Sequence, residues 1–134
     1  MPASFPKSFL FGCATSAHQV DGSLQNDWTV WEKIPGKISG GGQSGAAGEW
    51  WAGRAESDLS LAAKLWHNSH RMGVAWSRLE PRPGEFSDQA FERYREILGH
   101  ARDQNLSIWL TLIHFTLPIW LSERGGLMAR DFPA

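Results

Sequence analysis

Residues 107–120 read SIWLTLIHFTLPIW, and the change within them from an apolar run to polar residues organises the rest of the chain. From 108 to 113 only Thr111 interrupts a run of residues that suit a pleated surface, and the run is short for a helix. It predicts a strand buried on both faces. Such strands belong mainly to parallel sheets covered by helices, so helices are expected between the strands. His114, Phe115 and Thr116 follow the run, and Pro118, which has no amide hydrogen to give to a ladder, stops the pairing. Parallel folds keep their sites at the carboxyl ends of strands, which makes His114 a candidate.

Outward from this strand, the pattern supplies the expected helices. Before it, Phe91, Tyr94, Leu98 and Ala101 recur at helical spacing behind a cap at Ser87 or Asp88, and that helix ends near Asn105. Pro81, Pro83 and Gly84 make the preceding turn. In 69–77, His70, Met72, Val74 and Trp76 alternate with Arg71, Gly73, Ala75 and Ser77. The bulky face is expected to meet helices, while the small residues and Arg71 point into a confined barrel interior. From Glu49 onward a helical stripe of Leu59, Ala62, Ala63 and Trp66 is expected, with Glu56 and Asp58 in its early turns. Residues 34–48 (IPGKISGGGQSGAAG) form a glycine-rich loop, read as a long connection inside one domain spanning 1–134. Residues 9–14 (FLFGCA) complete the set as a first strand, in which Gly12 marks a close approach of backbone or ligand. The order strand, helix, strand, helix, strand is that of an α/β fold with parallel strands.

Composition narrows the function classes. With 13 basic and 14 acidic residues interspersed and a formal net charge of −1, there is no nucleic-acid patch and no basic membrane surface. No apolar run reaches the ~20 residues that cross a bilayer. Cys13 is alone and suits a reducing compartment. The apolar stretch after Lys7 is too short for a secretory signal, so the expected location is cytoplasmic. Eight tryptophans stand out, and packing is expected to use most of them.

Three separated stretches resemble family 1 glycoside hydrolases, the β-glucosidase family. Residues 9–22 (FLFGCATSAHQVDG) resemble its opening strand and loop, 68–81 (NSHRMGVAWSRLEP) its second strand, and 111–126 (TLIHFTLPIWLSERGG) its third. Arg54, Glu56 and Asp58 stand where its first barrel helix begins. The resemblance implies a (β/α)8 TIM barrel that hydrolyses β-O-glycosidic bonds with retention, using one glutamate as acid/base and another as nucleophile. In the family those glutamates follow the fourth and seventh strands, in Asn-Glu-Pro-like and Glu-Asn-Gly-like motifs that are absent here. Typical barrels take ~250 residues. A chain of 134 residues is therefore expected to be an amino-terminal portion, the first three strand-helix units of an incomplete barrel. It would supply part of the sugar-binding subsite and no catalytic residue; a non-catalytic sugar-binding remnant or an inert truncated product is the alternative.

By the same resemblance, Gln19 and His114 are the substrate-binding residues, hydrogen-bonding sugar hydroxyls. Arg71 is the barrel arginine beneath the nucleophile, where a fixed cation favours the carboxylate. His18 departs from the family, which usually has tyrosine or phenylalanine before the glutamine, although its ring can still pack. Phe115 and Thr116 replace the tryptophan and aspartate of many members. Glu80, Glu85, Asp88 and Glu92 surround a turn and a helix start and read as cap and surface charges. His67 and His70 have no third ligand, and no metal or other cofactor is expected; the expected partner is a β-glycoside or β-linked oligosaccharide. Three strands leave two apolar edges, 9–14 and 108–113, so the isolated chain is expected to be loosely folded or associated.

Overall fold

The strands form where the sequence alternates or turns apolar, and they pair in chain order. In the computed structural model, which describes residues 4–45 and 47–130, strands β1 (Gly12–Ala14), β2 (Ser69–Gly73) and β3 (Ser107–Thr111) make a parallel sheet in the order β1-β2-β3. Cys13 lies opposite His70, and Arg71 lies between Ala14 and Trp109. A Cβ on Gly12 would stand 2.1 Å from the carbonyl oxygen of Ser69. The close approach expected there is thus one of backbone, and any side chain would push β1 off β2.

The alternation in β2 sorts its residues as expected. Met72 faces outward and packs with Leu59, Tyr94, Ile97, Ala101 and Leu106, all buried, while Arg71 on the other face is exposed. The covering helices are α3 (Ala55–Lys64) and α5 (Asp88–Asp103), joined by an ion pair of Arg93 with Glu56 that holds the Glu56 carboxyl below its ordinary range. Ser87 caps α5, its hydroxyl accepting the amide of Ala90 at 3.2 Å. Within α5, Tyr94 and Ala101 of the expected stripe are buried, joined by Ile97, which is absent from it, whereas Phe91 is 42% exposed. Four short helices follow the strands: α1 (Ala17–Val20) and α2 (Asp27–Trp31) after β1, α4 (Trp76–Leu79) after β2, and α6 (Ile119–Glu123) after β3.

Several expectations need correction. The first strand is three residues rather than six, and the second ends at Gly73, with Trp76 and Ser77 turned into α4. The expected helix does not run on from Glu49: a π-turn over Trp50–Arg54 with Gly53 at φ 107° precedes α3. Trp66 lies past the end of α3 at φ 66° and is 90% exposed, because the left-handed residue swings the ring off the buried stripe. Glu80 is buried rather than a surface charge, accepting Trp76 Nε1–H at 2.7 Å and the amide of Gly84 at 2.8 Å. The largest departure is β3, which is not buried on both faces: Trp109 is 60% and Leu110 42% exposed, and beyond the strand Leu112 is 67% exposed.

Candidate functional site

The carboxyl ends of the three strands lie along one edge of the sheet, and the loops that leave them are tied together by buried polar groups. Asp21 ends α1 and is 2% exposed; the Tyr94 hydroxyl of α5 donates to its Oδ2 at 2.7 Å and accepts the amide of Ala75, just past β2, also at 2.7 Å. Arg78 of α4 adds its charge 3.8 Å from the same Oδ2 and lies over the Trp51 ring. Burial pushes the Asp21 carboxyl up to about 6, against the lowering pull of Tyr94, Arg78 and Arg93. The Tyr94 hydroxyl is pushed up as well, mainly by burial. The loop after β3 is fastened in a similar way, since Asp27 Oδ1 accepts the amide of Leu117 at 2.8 Å and the Asp27 amide donates to the Leu117 carbonyl at 3.0 Å.

His114 and the start of the short helix that carries Gln19 meet at the end of β2. The position a Cβ would take on Gly73 lies 3.4 Å from the amide nitrogen of Ala17, in the short helix that carries Gln19, and 3.6 Å from Cβ of His114. Gln19 is exposed, and its side-chain carbonyl accepts the Ser16 hydroxyl at 2.9 Å. With that oxygen engaged, the amide nitrogen is the part able to donate to an incoming hydroxyl. His114 is half-buried and its Nδ1, shielded from solvent, has no hydrogen-bond partner. A buried ring nitrogen of that kind calls for a ligand atom or a water. Phe115 at φ 66° forms the middle of a tight turn closed by the amide of Thr116 on the carbonyl of His114 at 2.9 Å. A left-handed aromatic residue beside a candidate site is the kind of strain that function retains.

Arg71 lies two residues before Gly73 and shares its face of β2. It is exposed on the inner face of β2, and its guanidinium donates to the Thr111 hydroxyl at 3.4 Å. One neighbour, Trp28, and the polar partners of His18 escaped the sequence reading. Trp28 stacks on Phe115 with ring centroids 6.0 Å apart and an interplanar angle of 19°, and His18 meets the same indole edge-on at 5.4 Å. His18 does pack, as expected, but it is also a buried polar hub bonded to Asn26 and Ser44. The tryptophan surplus was the one signal that pointed towards Trp28; the partners of His18 are 8 and 26 residues away and follow no sequence pattern. Among the described residues, no group of three metal-ligating side chains comes together, and no helix is long and apolar enough to cross a membrane.

Three loops tied together at the carboxyl edge of a parallel sheet are placed where barrel folds carry their sites. The model of glycosyl hydrolase family 1 matches residues 1–132. The chain belongs to that family. It is 32% identical to the thermostable β-glucosidase B of Thermobispora bispora over 96% of this chain and 28% of that protein. It is also 32% identical to the aryl-phospho-β-D-glucosidase BglC of Bacillus subtilis, over 97% of this chain and 29% of the relative. Among solved structures, the β-glycosidase from Pyrococcus horikoshii superposes with a TM-score of 0.84 at 38% identity, covering 95% of this chain and 29% of that one. The AHE enzyme from Alicyclobacillus herbarius gives 0.90 at 31% identity, covering 97% and 30%. The chain thus spans under a third of each relative and corresponds to the amino-terminal portion of this TIM-barrel family, three strands of an incomplete barrel.

Proposed function

We propose that this chain is the amino-terminal part of a single retaining β-glycosidase domain, in which Gln19 and His114 hold sugar hydroxyls and Arg71 supports the nucleophile. The observation that carries the reading is the convergence of the Gln19 helix and His114 on Gly73, with a buried His114 Nδ1 left for a partner. Retention requires an acid/base and a nucleophile about 5–5.5 Å apart. The buried carboxylates near the strand ends are already engaged, Asp21 by Tyr94, Glu32 by Ser44 and Gly45, and Glu80 by Trp76 and Gly84. That supports assigning both catalytic glutamates to the portion of the barrel beyond these residues. Arg71, whose present contact is one long hydrogen bond to Thr111, would then have its charge free to favour an ionised nucleophile across the barrel.

The substrate is a β-glycoside. Equal identity to a glucosidase and to a phospho-glucosidase favours that class over any one sugar. No cofactor takes part, and the cytoplasm is the assigned location. The test is hydrolysis of aryl β-glycosides by the chain alone and by the chain joined to the remaining strand-helix units of a family member. The chain alone should be inactive. The joined protein should be active, and Gln19→Ala or His114→Ala should each lower kcat/KM about tenfold or more, since a buried partner is left unpaired. Unchanged kinetics in both variants would sink the assignment, and turnover by the chain alone would move the catalytic carboxylates into it.

A further inference from the structure

The ring that precedes Gln19 sits in a chain of hydrogen bonds whose direction has a single solution. His18 is 4% exposed; its Nδ1 lies 3.0 Å from Asn26 Nδ2 and its Nε2 lies 2.6 Å from Ser44 Oγ. Asn26 is in no position to turn its amide over. Its Oδ1 accepts the Thr29 amide at 3.0 Å as the cap of α2, while its own backbone amide donates to the Thr29 hydroxyl at 2.9 Å. Asn26 therefore presents N–H to His18, and Nδ1 has to be the acceptor.

The other end is equally fixed. Glu32 Oε2 lies 2.9 Å from Ser44 Oγ and accepts the Ser44 amide at 2.8 Å, while Oε1 accepts the Gly45 amide at 3.2 Å. Burial raises the Glu32 pKa, but these donors outweigh it and hold the carboxyl below its ordinary range. An ionised carboxylate only accepts, so the Ser44 proton points to Glu32 and Ser44 Oγ accepts from His18 Nε2–H. The ring is neutral and protonated on Nε2.

We propose that His18 is a positioning residue for Gln19 that works only as this neutral tautomer, and that protonation of its ring releases the loop which carries the sugar-contacting amide. The proposal rests on the reading of Gln19 given above. A second ring proton would set Nδ1–H against the Asn26 amide N–H at 3.0 Å, two donors with no acceptor between them. Relief requires either giving up the α2 cap or moving the ring, and the ring is followed directly by Gln19 in a helix of four residues. The surrounding charges are opposed to burial. Burial lowers the His18 pKa and prevails, while Glu32 and Asp27, both from α2 and its end, pull it back up. Asp27 is itself held by the Leu117 amide, and Trp28 closes the remaining side of the ring.

Hydrogen–deuterium exchange of the full chain tests this without any sugar present. After correction for intrinsic exchange, residues 15–32 should be protected near neutral pH and should exchange about tenfold faster or more once the pH falls well below the ordinary imidazole value, while α5 keeps its protection. His18→Tyr keeps an aromatic ring, brings a hydroxyl in place of the ring nitrogens and does not titrate there, so its exchange should be flat with pH. Long-range proton–nitrogen correlation spectra of the unaltered chain read the tautomer directly and must show hydrogen on Nε2 alone at neutral pH. Exchange that is independent of pH in the unaltered chain, pH dependence that survives in His18→Tyr, or hydrogen on Nδ1 would each overturn the proposal. Should His18→Tyr show no protection at any pH, the spectra decide, since ring protonation must coincide with loss of protection in the unaltered chain. Normal kinetics in Gln19→Ala would instead remove the sugar reading and leave the His18 hydrogen-bond chain standing.

Discussion

Strands β2 and β3 are both five residues long, both parallel, and hydrogen-bonded to each other along their whole length, yet they live in different surroundings. In β2 every residue except Arg71 is buried; in β3 none is. The more apolar strand is the more exposed one. The difference is in the neighbours. β2 has a strand on each side and residues of both α3 and α5 over its outer face, whereas β3 has one strand beside it and packs against α5. An open groove of about 660 Å³ lined by Val74, Leu79, Phe91, Leu98, Leu110 and Leu112 marks what is uncovered. Burial is a property of what surrounds a residue, and apolar composition states only what a residue would need in order to be satisfied.

The strongest way to break the comparison is to satisfy β3 differently. An apolar unpaired edge is a template for another chain, so the chain should run in light scattering at a mass well above its own 15.0 kDa. Leu112→Lys combined with Ile113→Lys should return it towards the monomer, because charge on an edge blocks pairing. A monomer before substitution would show that the groove and edge are closed in solution. On that double-lysine background the two strands can be compared by urea unfolding. Met72→Ala should lower stability by about 2–5 kcal/mol by leaving a cavity. Leu110→Ala on β3 should change it by about 0.5 kcal/mol or less, as exposed positions do. Equal losses would mean that β3 is as covered as β2.

The smallest expected effect concerns the tie at the end of β2. The Asp21 carboxyl is raised to about 6 in the folded chain, above its ordinary value of 3.8. Between those values the folded state binds more protons than the unfolded one, so this group's contribution to stability falls as pH rises through the window. Subtracting the stability–pH curve of Asp21→Asn should isolate that fall. A difference that rises with pH would mean that Arg78 and Tyr94 outweigh burial and hold the carboxyl ionised.

The candidate site residues could be placed in the fold in advance because they lie next to strand ends. His114 follows an apolar run directly, and Gln19 follows Gly12–Ala14 by one short turn, so a strand assignment placed both within a few residues. The ties that hold them were invisible for the opposite reason. Tyr94 meets Asp21 across 73 residues and Asp27 meets Leu117 across 90, distances at which no spacing rule applies. Glu80 shows the same limit, since a carboxylate near a turn reads as a solvated charge until an indole and an amide are found on it.

What the sequence determined by itself was the alternation in β2, the apolar runs, the glycine at the β1–β2 contact and the family motifs, and hence a parallel α/β fold with a candidate site at its carboxyl edge. Those are local properties, set by side-chain periodicity along one strand or helix. The tertiary structure alone decided that β3 is open, that Trp66 swings outward at a left-handed residue, and that Asn26 and Ser44 meet the two ring nitrogens of His18. Each depends on which atoms arrive from distant parts of the chain, and a hydrogen bond or a buried face exists only once both partners are in place.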